Sequence, residues 1–294
     1  MDDLYFSVII PAYKDNDRLK SCLAALVSQT FDANKFEVIV VNNDPNGSVE
    51  FDKQFFDQLN LKVLDEKIPG SYAARNLGIK QASAKILALT DSDCIPEPDW
   101  LQNAKKYFEA DADHSLGIIA GDVPLFFKNP NKLTHAEVYE KYTGFDFKAY
   151  VKEGTCGAGN WFSYKKVMDE FGGFNPQLKS NGDTALSSRI SKKYKIVFAS
   201  DVIVRHPSRY HVSELVYKYR RLLGGTYHRK FENQPVKFLN HVINFSFRRL
   251  RFSAKKFFTV PLHESWSIFI VCSAVTIGAW KEYFILIKGG ETKR

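Results

Sequence analysis

Apolar runs of strand length alternate with segments of helical period through the first two thirds of the chain. Phe6 to Pro11, Phe36 to Val41, Leu61 to Leu64, Ile86 to Thr90 and Gly117 to Ala120 are short, rich in β-branched residues and closed by Pro, Asn, Asp or Gly, which marks them as strands. Between them, Arg18 to Gln29, Val49 to Leu59, Ala73 to Ala82 and Trp100 to Ala110 read as helices, with Asp, Ser or Pro near their starts. This alternation predicts βαβ units and a mostly parallel sheet in an α/β fold, with ligands beyond the carboxyl ends of the strands. Asn42, Asn43, Asp91 and Asp93 all fall at such ends.

From Lys132 the pattern is mixed. A helical stretch to about Tyr150 leads into a Gly-rich turn, GTCGAGNWF, then a helix from Tyr164 and a second one opened by SNGD. Ile196 to Ala199 and Val202 to Arg205 read as two short strands, and the chain beyond His211 reads as helical. The expected organisation is an α/β domain over residues 1–211 and a basic helical region over 212–294.

Charge sharpens this division. The chain of 294 residues carries a net +8, and residues 205–256 hold thirteen Lys or Arg against only Glu214 and Glu232, which leaves the rest slightly acidic. Such a basic stretch points to an anionic partner surface. Cys22, Cys94, Cys156 and Cys272 are far apart and have no metal-ligand spacing, so neither a disulfide framework nor a cysteine zinc site is supported. MDDLYFSVIIPAY starts acidic and has too short an apolar run for a signal peptide, which predicts a cytosol-facing protein.

The sharpest local chemistry is Asp91-Ser92-Asp93, reached directly from an apolar strand. Two carboxylates two residues apart at a strand end point the same way and can share a divalent cation, Mg²⁺ or Mn²⁺ suiting oxygen ligands. Asp and Ser are also turn formers, so a plain turn is the alternative.

Several ordered motifs widen that context: SVIIPAYKDNDRLKSCLAAL, VIVVNND, PGSYAARNLGIKQASAKILALTDSDC, PDWL, GAGNWFSYKKVMDEFGGFNPQLKSNGDTALSSRI and VIVRHPSR. Together, over residues 5–225, they resemble glycosyltransferase family 2, the inverting sugar transferases of GT-A fold. The resemblance implies a Rossmann-like, mostly parallel central sheet with a basic helical C-terminal extension. It also implies a metal-dependent transfer from a nucleotide-diphosphate sugar, a UDP-sugar being the expected donor, to a glycan or lipid-linked acceptor in surface polysaccharide synthesis.

By the same resemblance Pro11, Ala12 and Tyr13 line the nucleotide pocket and Asn42 or Asn43 meets the base, although the family often has Asp-Asp-Gly-Ser where this chain has Asn42-Asn43-Asp44-Pro45. An amide can still read a pyrimidine edge, since it both donates and accepts. Arg75 faces the diphosphate, to which a guanidinium offers permanent charge and forked donors; a surface helix Arg is the alternative. Asp91 and Ser92 adjoin the donor, and Asp91, Asp93 and His206 hold the metal, unless His206 is structural. Asp183 matches the acidic position used as base, because an inverting displacement needs a carboxylate to take the acceptor hydroxyl's proton. It also suits a helix start on capping and dipole grounds. Trp161 either stacks on an acceptor sugar or belongs to the core.

In the basic region, KYRRLLGGTYHRK and INFSFRRLRFSAKKFFTV interleave cations with aromatic and aliphatic residues, as interfacial segments do. Residues 266–280, WSIFIVCSAVTIGAW, are uncharged but shorter than the ~17–25 residues of a spanning helix. The expectation is therefore a segment in the cytoplasmic leaflet of the inner membrane, with a helix buried in a soluble core as the alternative. A sugar nucleotidyltransferase would carry a Gly-rich basic loop after the first strand, where this chain has PAYKDNDRL. A nucleic-acid-binding protein would use the basic stretch, but no nucleic-acid motif is recognisable and apolar sequence follows it, which favours lipid.

Overall fold

A computed structural model describes residues 4–50 and 52–292. In chain order the elements are β1 (Phe6–Ala12), α1 (Asn16–Val27), β2 (Phe36–Asn42), α2 (Gln54–Gln58), β3 (Leu61–Asp65), α3 (Ser71–Gln81), β4 (Ile86–Thr90), β5 (Ile95–Pro96), α4 (Trp100–Glu109), β6 (Leu116–Asp122) and β7 (Leu125–Phe126). They continue with α5 (His135–Lys141), α6 (Phe147–Lys152), β8 (Asn160–Tyr164), α7 (Lys165–Glu170), α8 (Gly182–Ile190), β9 (Lys195–Pro207), α9 (Val212–Thr226), α10 (Pro235–Lys256) and α11 (Leu262–Ile287).

The chain divides into two compact units. The first comprises residues 1–124, 145–177 and 182–206, the second residues 125–144, 178–181 and 207–294. The break in the chain thus comes at His206, and two earlier segments that no change of composition announces belong to the second unit.

The first unit is built on a sheet of order β3-β2-β1-β4-β8-β6-β9-β5. β3, β2, β1 and β4 are mutually parallel, as are β6 and β9. Every residue of β1 and β2 is buried, as expected of central strands covered on both faces. The one charge in these strands, Glu37, is fully buried and satisfied by Lys62 Nζ (2.6 Å), Ser7 Oγ (2.7 Å) and the Ser83 amide (2.6 Å). Gly78 lets α3 lie close on the sheet, since a Cβ there would meet Ile9 at 2.5 Å and Val41 at 3.3 Å.

Three local readings are corrected. Asn160 to Phe162, expected in the Gly-rich turn, and Tyr164, expected to start a helix, belong to strand β8, antiparallel to both β4 and β6. Of the helix expected over Val49 to Leu59, in which Phe51 lies outside the described residues, Gln54–Gln58 is helical. Ile196 to Ala199 and Val202 to Arg205 form one strand, β9, whose pairing with β6 is interrupted by a register shift at Gly121/Asp122. The buried Asn160 amide ties this region together: its Nδ2 donates to Asp122 O and Val202 O, both at 2.9 Å, and its Oδ1 accepts from Trp100 Nε1.

In the second unit α11 is the central helix and packs on α5, α9 and α10. One buried cluster joins Tyr139, Leu215, Ile268, Val271 and Val275; another joins Leu223, Phe238, Ala279, Tyr283 and Leu286. At roughly 1.5–3 kcal/mol for each large apolar side chain buried, α11 holds much of this unit's stability. The uncharged run of residues 266–280 lies inside a helix that continues unbroken for 26 residues, and Glu282 is buried in an ion pair with Arg220 at 2.8 Å. By length and composition alone it could cross a membrane, yet one face lies in the core.

Candidate active site

Four parallel strands end on one edge of the sheet, at Ala12, Asn42, Asp65 and Thr90. Asp91 follows directly from β4, and the pairing of Thr90 with Asn160 sets Gly159 opposite it; a Cβ on Gly159 would stand 3.2 Å from Asp91 Oδ2. A second pairing, Ile95 with Arg205, brings His206 beside Cys94 and Asp93. His206 Nε2 lies 3.8 Å from Asp93 Oδ2, and ligand atoms of Asp93, Cys94 and His206 all fall within 4.8 Å of one another.

The two carboxylates of the Asp-Ser-Asp turn have different partners. Asp91 is ion-paired with the buried guanidinium of Arg75, near the start of α3. Arg75 is thus no surface helix residue. Asp93 faces His206 and Arg18, whose Nη1 is 3.4 Å away while its Nε holds Asp15 at 2.7 Å. Burial raises the Asp93 pKa, His206 opposes the rise and Asp91 adds to it. Burial also pushes the Cys94 thiol well up, with Asp91 and Asp93 adding, so it stays protonated and is a poor ligand. Ser92 is half-buried between the carboxylates.

A divalent cation fits this donor set. It would compensate the buried Asp93 carboxylate, whose pKa burial raises and the Asp91 charge raises further, and a carboxylate with an imidazole nitrogen suits Mn²⁺ better than Mg²⁺.

Asp183 sits in the first turn of α8, where its Oδ1 accepts from the Thr184 amide at 2.9 Å. Tyr72 supports it: the phenol accepts from the Gly182 amide (2.8 Å) and donates to Asp183 Oδ1 (3.4 Å) while its ring stacks on Phe174. Burial, with the nearby Asp183 charge, raises the Tyr72 pKa to about 12, so the phenol remains a donor. Gly157 adjoins this carboxylate, its notional Cβ 3.6 Å from Asp183 Oδ2. Sequence reasoning passed over Tyr72, Arg18, Gly157 and Gly159. All four sit inside recognised motifs, but nothing local distinguishes Tyr72 and Arg18 from neighbouring helix residues, and the two glycines signal only a turn.

Of the residues expected at the nucleotide, Pro11 and Ala12 are buried at the end of β1, while Tyr13 is exposed and lies beside Lys14. Asn42 and Asn43 are both engaged with neighbouring loops. Asn42 Nδ2 donates to Gly47 O and Asp65 Oδ1, both at 2.8 Å, and its Oδ1 accepts from the Asp44 amide. Asn43 Nδ2 donates to Glu66 O and Ile68 O, and its Oδ1 accepts from the Gly70 amide. Both amides are buried and spent on fastening loops, with none of their hydrogens left to read a base. Gly70, at φ +126°, makes the bend from that loop into α3. Trp161 is corrected: it is fully buried in β8 against Phe174, a core residue and not an acceptor platform.

Comparison with known proteins agrees with this architecture. The family model described as Glycosyl transferase family 2 matches residues 7–171, more than half of the chain. Glycosyltransferase AglE of Haloferax volcanii is 36% identical over 211 residues, covering 70% of this chain and 67% of AglE. An Escherichia coli protein, UDP-Glc:alpha-D-GlcNAc-diphosphoundecaprenol beta-1,3-glucosyltransferase WfgD, is 32% identical over 104 residues, 35% of this chain and 39% of WfgD. The structure of mannosyltransferase PcManGT from Pyrobaculum calidifontis, in complex with GDP-Man and Mn²⁺, superposes with TM-score 0.57 at 17% identity, covering 98% of this chain and 79% of that one. On the matched family and the shared GT-A architecture, this chain belongs to glycosyltransferase family 2 and is a glycosyltransferase.

Proposed function

We propose that the protein is a metal-dependent inverting glycosyltransferase that moves a sugar from a UDP-sugar to a glycan or lipid-linked acceptor in surface polysaccharide synthesis, at the cytoplasmic face of the membrane. The observation that carries this reading is the meeting of Asp93 and His206 at the strand-end edge, beside the Arg75–Asp91 pair. UDP-sugar use and a lipid diphosphate acceptor are in the name of WfgD, and Mn²⁺ is bound in the PcManGT structure.

Asp93 and His206 would hold the cation, with Asp91 beside them, and a bound divalent ion supplies Lewis-acid stabilisation of the leaving diphosphate. Arg75 exchanges part of its pairing with Asp91 for the diphosphate, to which its fork is matched. Pro11 and Ala12 border the nucleotide, and the exposed Tyr13 ring offers a stacking face for the base. Asp183 takes the proton of the acceptor hydroxyl as it attacks the anomeric carbon, while Tyr72 fixes the carboxylate's direction.

Membrane association is supported by the second unit's surface. Phe247, Leu250 and Phe258 on and beyond α10 are exposed, Phe258 by 90%, among Arg248, Arg251 and Lys255, and Trp266 and Ile277 of α11 are exposed as well. Apolar side chains between cations suit an anionic leaflet. Hydrolysis of a panel of UDP- and GDP-sugars, with Mn²⁺, with Mg²⁺ and with chelator, tests the proposal. UDP-sugar turnover that needs metal is expected, and equal turnover in chelator would refute it.

A further inference from the structure

The second unit holds a concentration of positive charge separate from the residues assigned above. Glu140, buried on α5, accepts from Arg209 twice, from the amide to Oε2 and from Nη1 to Oε1, both at 2.7 Å. Lys218 Nζ stands 3.3 Å from the same Oε1. Lys218 and Arg221 are three residues apart on α9, a spacing that puts side chains on one helix face, and Arg221 Nη1 donates to Lys179 O at 3.3 Å. Arg209 and Lys218 therefore share one carboxylate, and Arg221 lies a helical turn from Lys218.

That gathering is electrostatically uncomfortable. Burial and the neighbouring Arg209 pull the Lys218 ammonium down to about 8, Glu140 resists, and Arg221 adds to the repulsion. Like charges held together away from water cost stability, and such local conflicts are characteristic of binding sites.

We propose that Arg209, Lys218 and Arg221 form a binding site for a phosphate or diphosphate ester. Two guanidinium forks and an ammonium supply directional and point-charge recognition of phosphate oxygens, and a dianion would offset the mutual repulsion of the three cations. The same unit exposes Phe247, Leu250, Trp266 and Ile277, so an amphiphile with a phosphorylated head and a hydrocarbon chain matches both of its features. The inference deepens the lipid-linked acceptor reading and rests on it for the choice of ester. Free phosphate is the other source of the same chemistry.

The test is calorimetric titration of the full chain, in chelator, with farnesyl diphosphate and in parallel with inorganic pyrophosphate. One farnesyl diphosphate should bind per chain, and Lys218→Met and Arg221→Gln should each weaken it about tenfold or more, the loss expected for one charge-assisted contact. If Lys218→Met does not fold, the half-buried Arg221 carries the test through its Gln variant. Binding of farnesyl diphosphate alone assigns the site to a lipid-borne ester; pyrophosphate binding with the same variant sensitivity assigns it to free phosphates. No binding by the wild type, or equal affinity in wild type and variants, overturns the site. Donor hydrolysis in Mn²⁺, measured separately, decides the glycosyltransferase mechanism independently of this result.

Discussion

The imidazole Nε2 of His206 lies 3.8 Å from Oδ2 of Asp93, and the pairing of Ile95 with Arg205 is what brings them together. The two residues come from distant parts of the chain and from a turn and a strand that have no local reason to meet. Asp93→Ala should abolish metal-dependent turnover with the fold intact. His206→Gln should leave turnover possible but raise the Mn²⁺ concentration for half-maximal rate by about tenfold or more, in line with loss of an orienting or ligating contact. Metal titration of initial rates checks both, and an unchanged Mn²⁺ requirement in His206→Gln would remove that residue from the proposed metal site.

Arg75 and Asp91 form the companion pair, with the guanidinium buried. Arg75→Lys keeps the charge but loses the fork, and donor affinity should fall by roughly tenfold, with a larger fall for Arg75→Gln. Equilibrium binding of UDP in Mn²⁺ measures this directly. Equal affinity in all three proteins would restrict Arg75 to holding Asp91.

Asp183→Asn keeps a hydrogen-bonding side chain at the start of α8 but loses basicity. It should cut kcat by ~10²-fold or more with donor binding nearly unchanged. Tyr72→Phe keeps the ring on Phe174 and removes the phenol that spans Gly182 and Asp183, so a smaller fall in kcat, again without loss of donor affinity, is expected. Near-normal kcat in Asp183→Asn would leave Asp183 with only its structural bonds to Thr184 and Tyr72.

The buried Glu37 predicts a pH dependence of stability. Burial alone would raise its pKa, but bonds from Lys62, Ser7 and the Ser83 amide outweigh it and leave the pKa below the ordinary value of 4.5. The unfolded chain then binds the proton more readily, so the stabilisation is present above about pH 4.5 and is lost as pH falls through the folded value. Glu37→Gln should flatten this acid limb and destabilise at neutral pH by about 1–3 kcal/mol, because it weakens a buried charge-assisted network. Chemical denaturation at a series of pH values measures both.

For membrane association, deleting α11 would remove Ile268, Val271 and Val275 from the core, so truncation near Thr259 is expected to cost the fold and cannot isolate an anchor. Phe247→Ser and Phe258→Ser alter exposed side chains instead. Sedimentation with anionic liposomes should exceed that with neutral ones and fall in the double variant, while the melting temperature is unchanged. Undiminished sedimentation of the double variant would dismiss this surface.

The sequence by itself determined what is local. β1, β2 and β4 are legible because strands buried on both faces need near-continuous apolar runs, and Asp91 and Asp93 are placed at the strand-end edge as soon as Ile86 to Thr90 is read as a strand. Gly70 before Arg75 marks the bend into α3 for the same kind of reason, since few other residues tolerate its backbone. Tertiary structure decided the rest, where each outcome depends on a distant partner. Gly157 and Gly159 signal a turn, and only the neighbouring strands β4 and β6 draw Asn160–Tyr164 into the sheet and bury Trp161. Asn42 and Asn43 look equipped to read a base, but in the fold Asn42 Nδ2 donates to Gly47 and Asp65 and Asn43 Nδ2 to Glu66 and Ile68. An apolar helix such as α11 has the same composition in a leaflet or in a core, and packing on Tyr139, Leu215 and Phe238 determines which of its faces is buried. Periodicity encodes which face of an element is apolar, but the identity of what covers that face is a property of the whole folded chain.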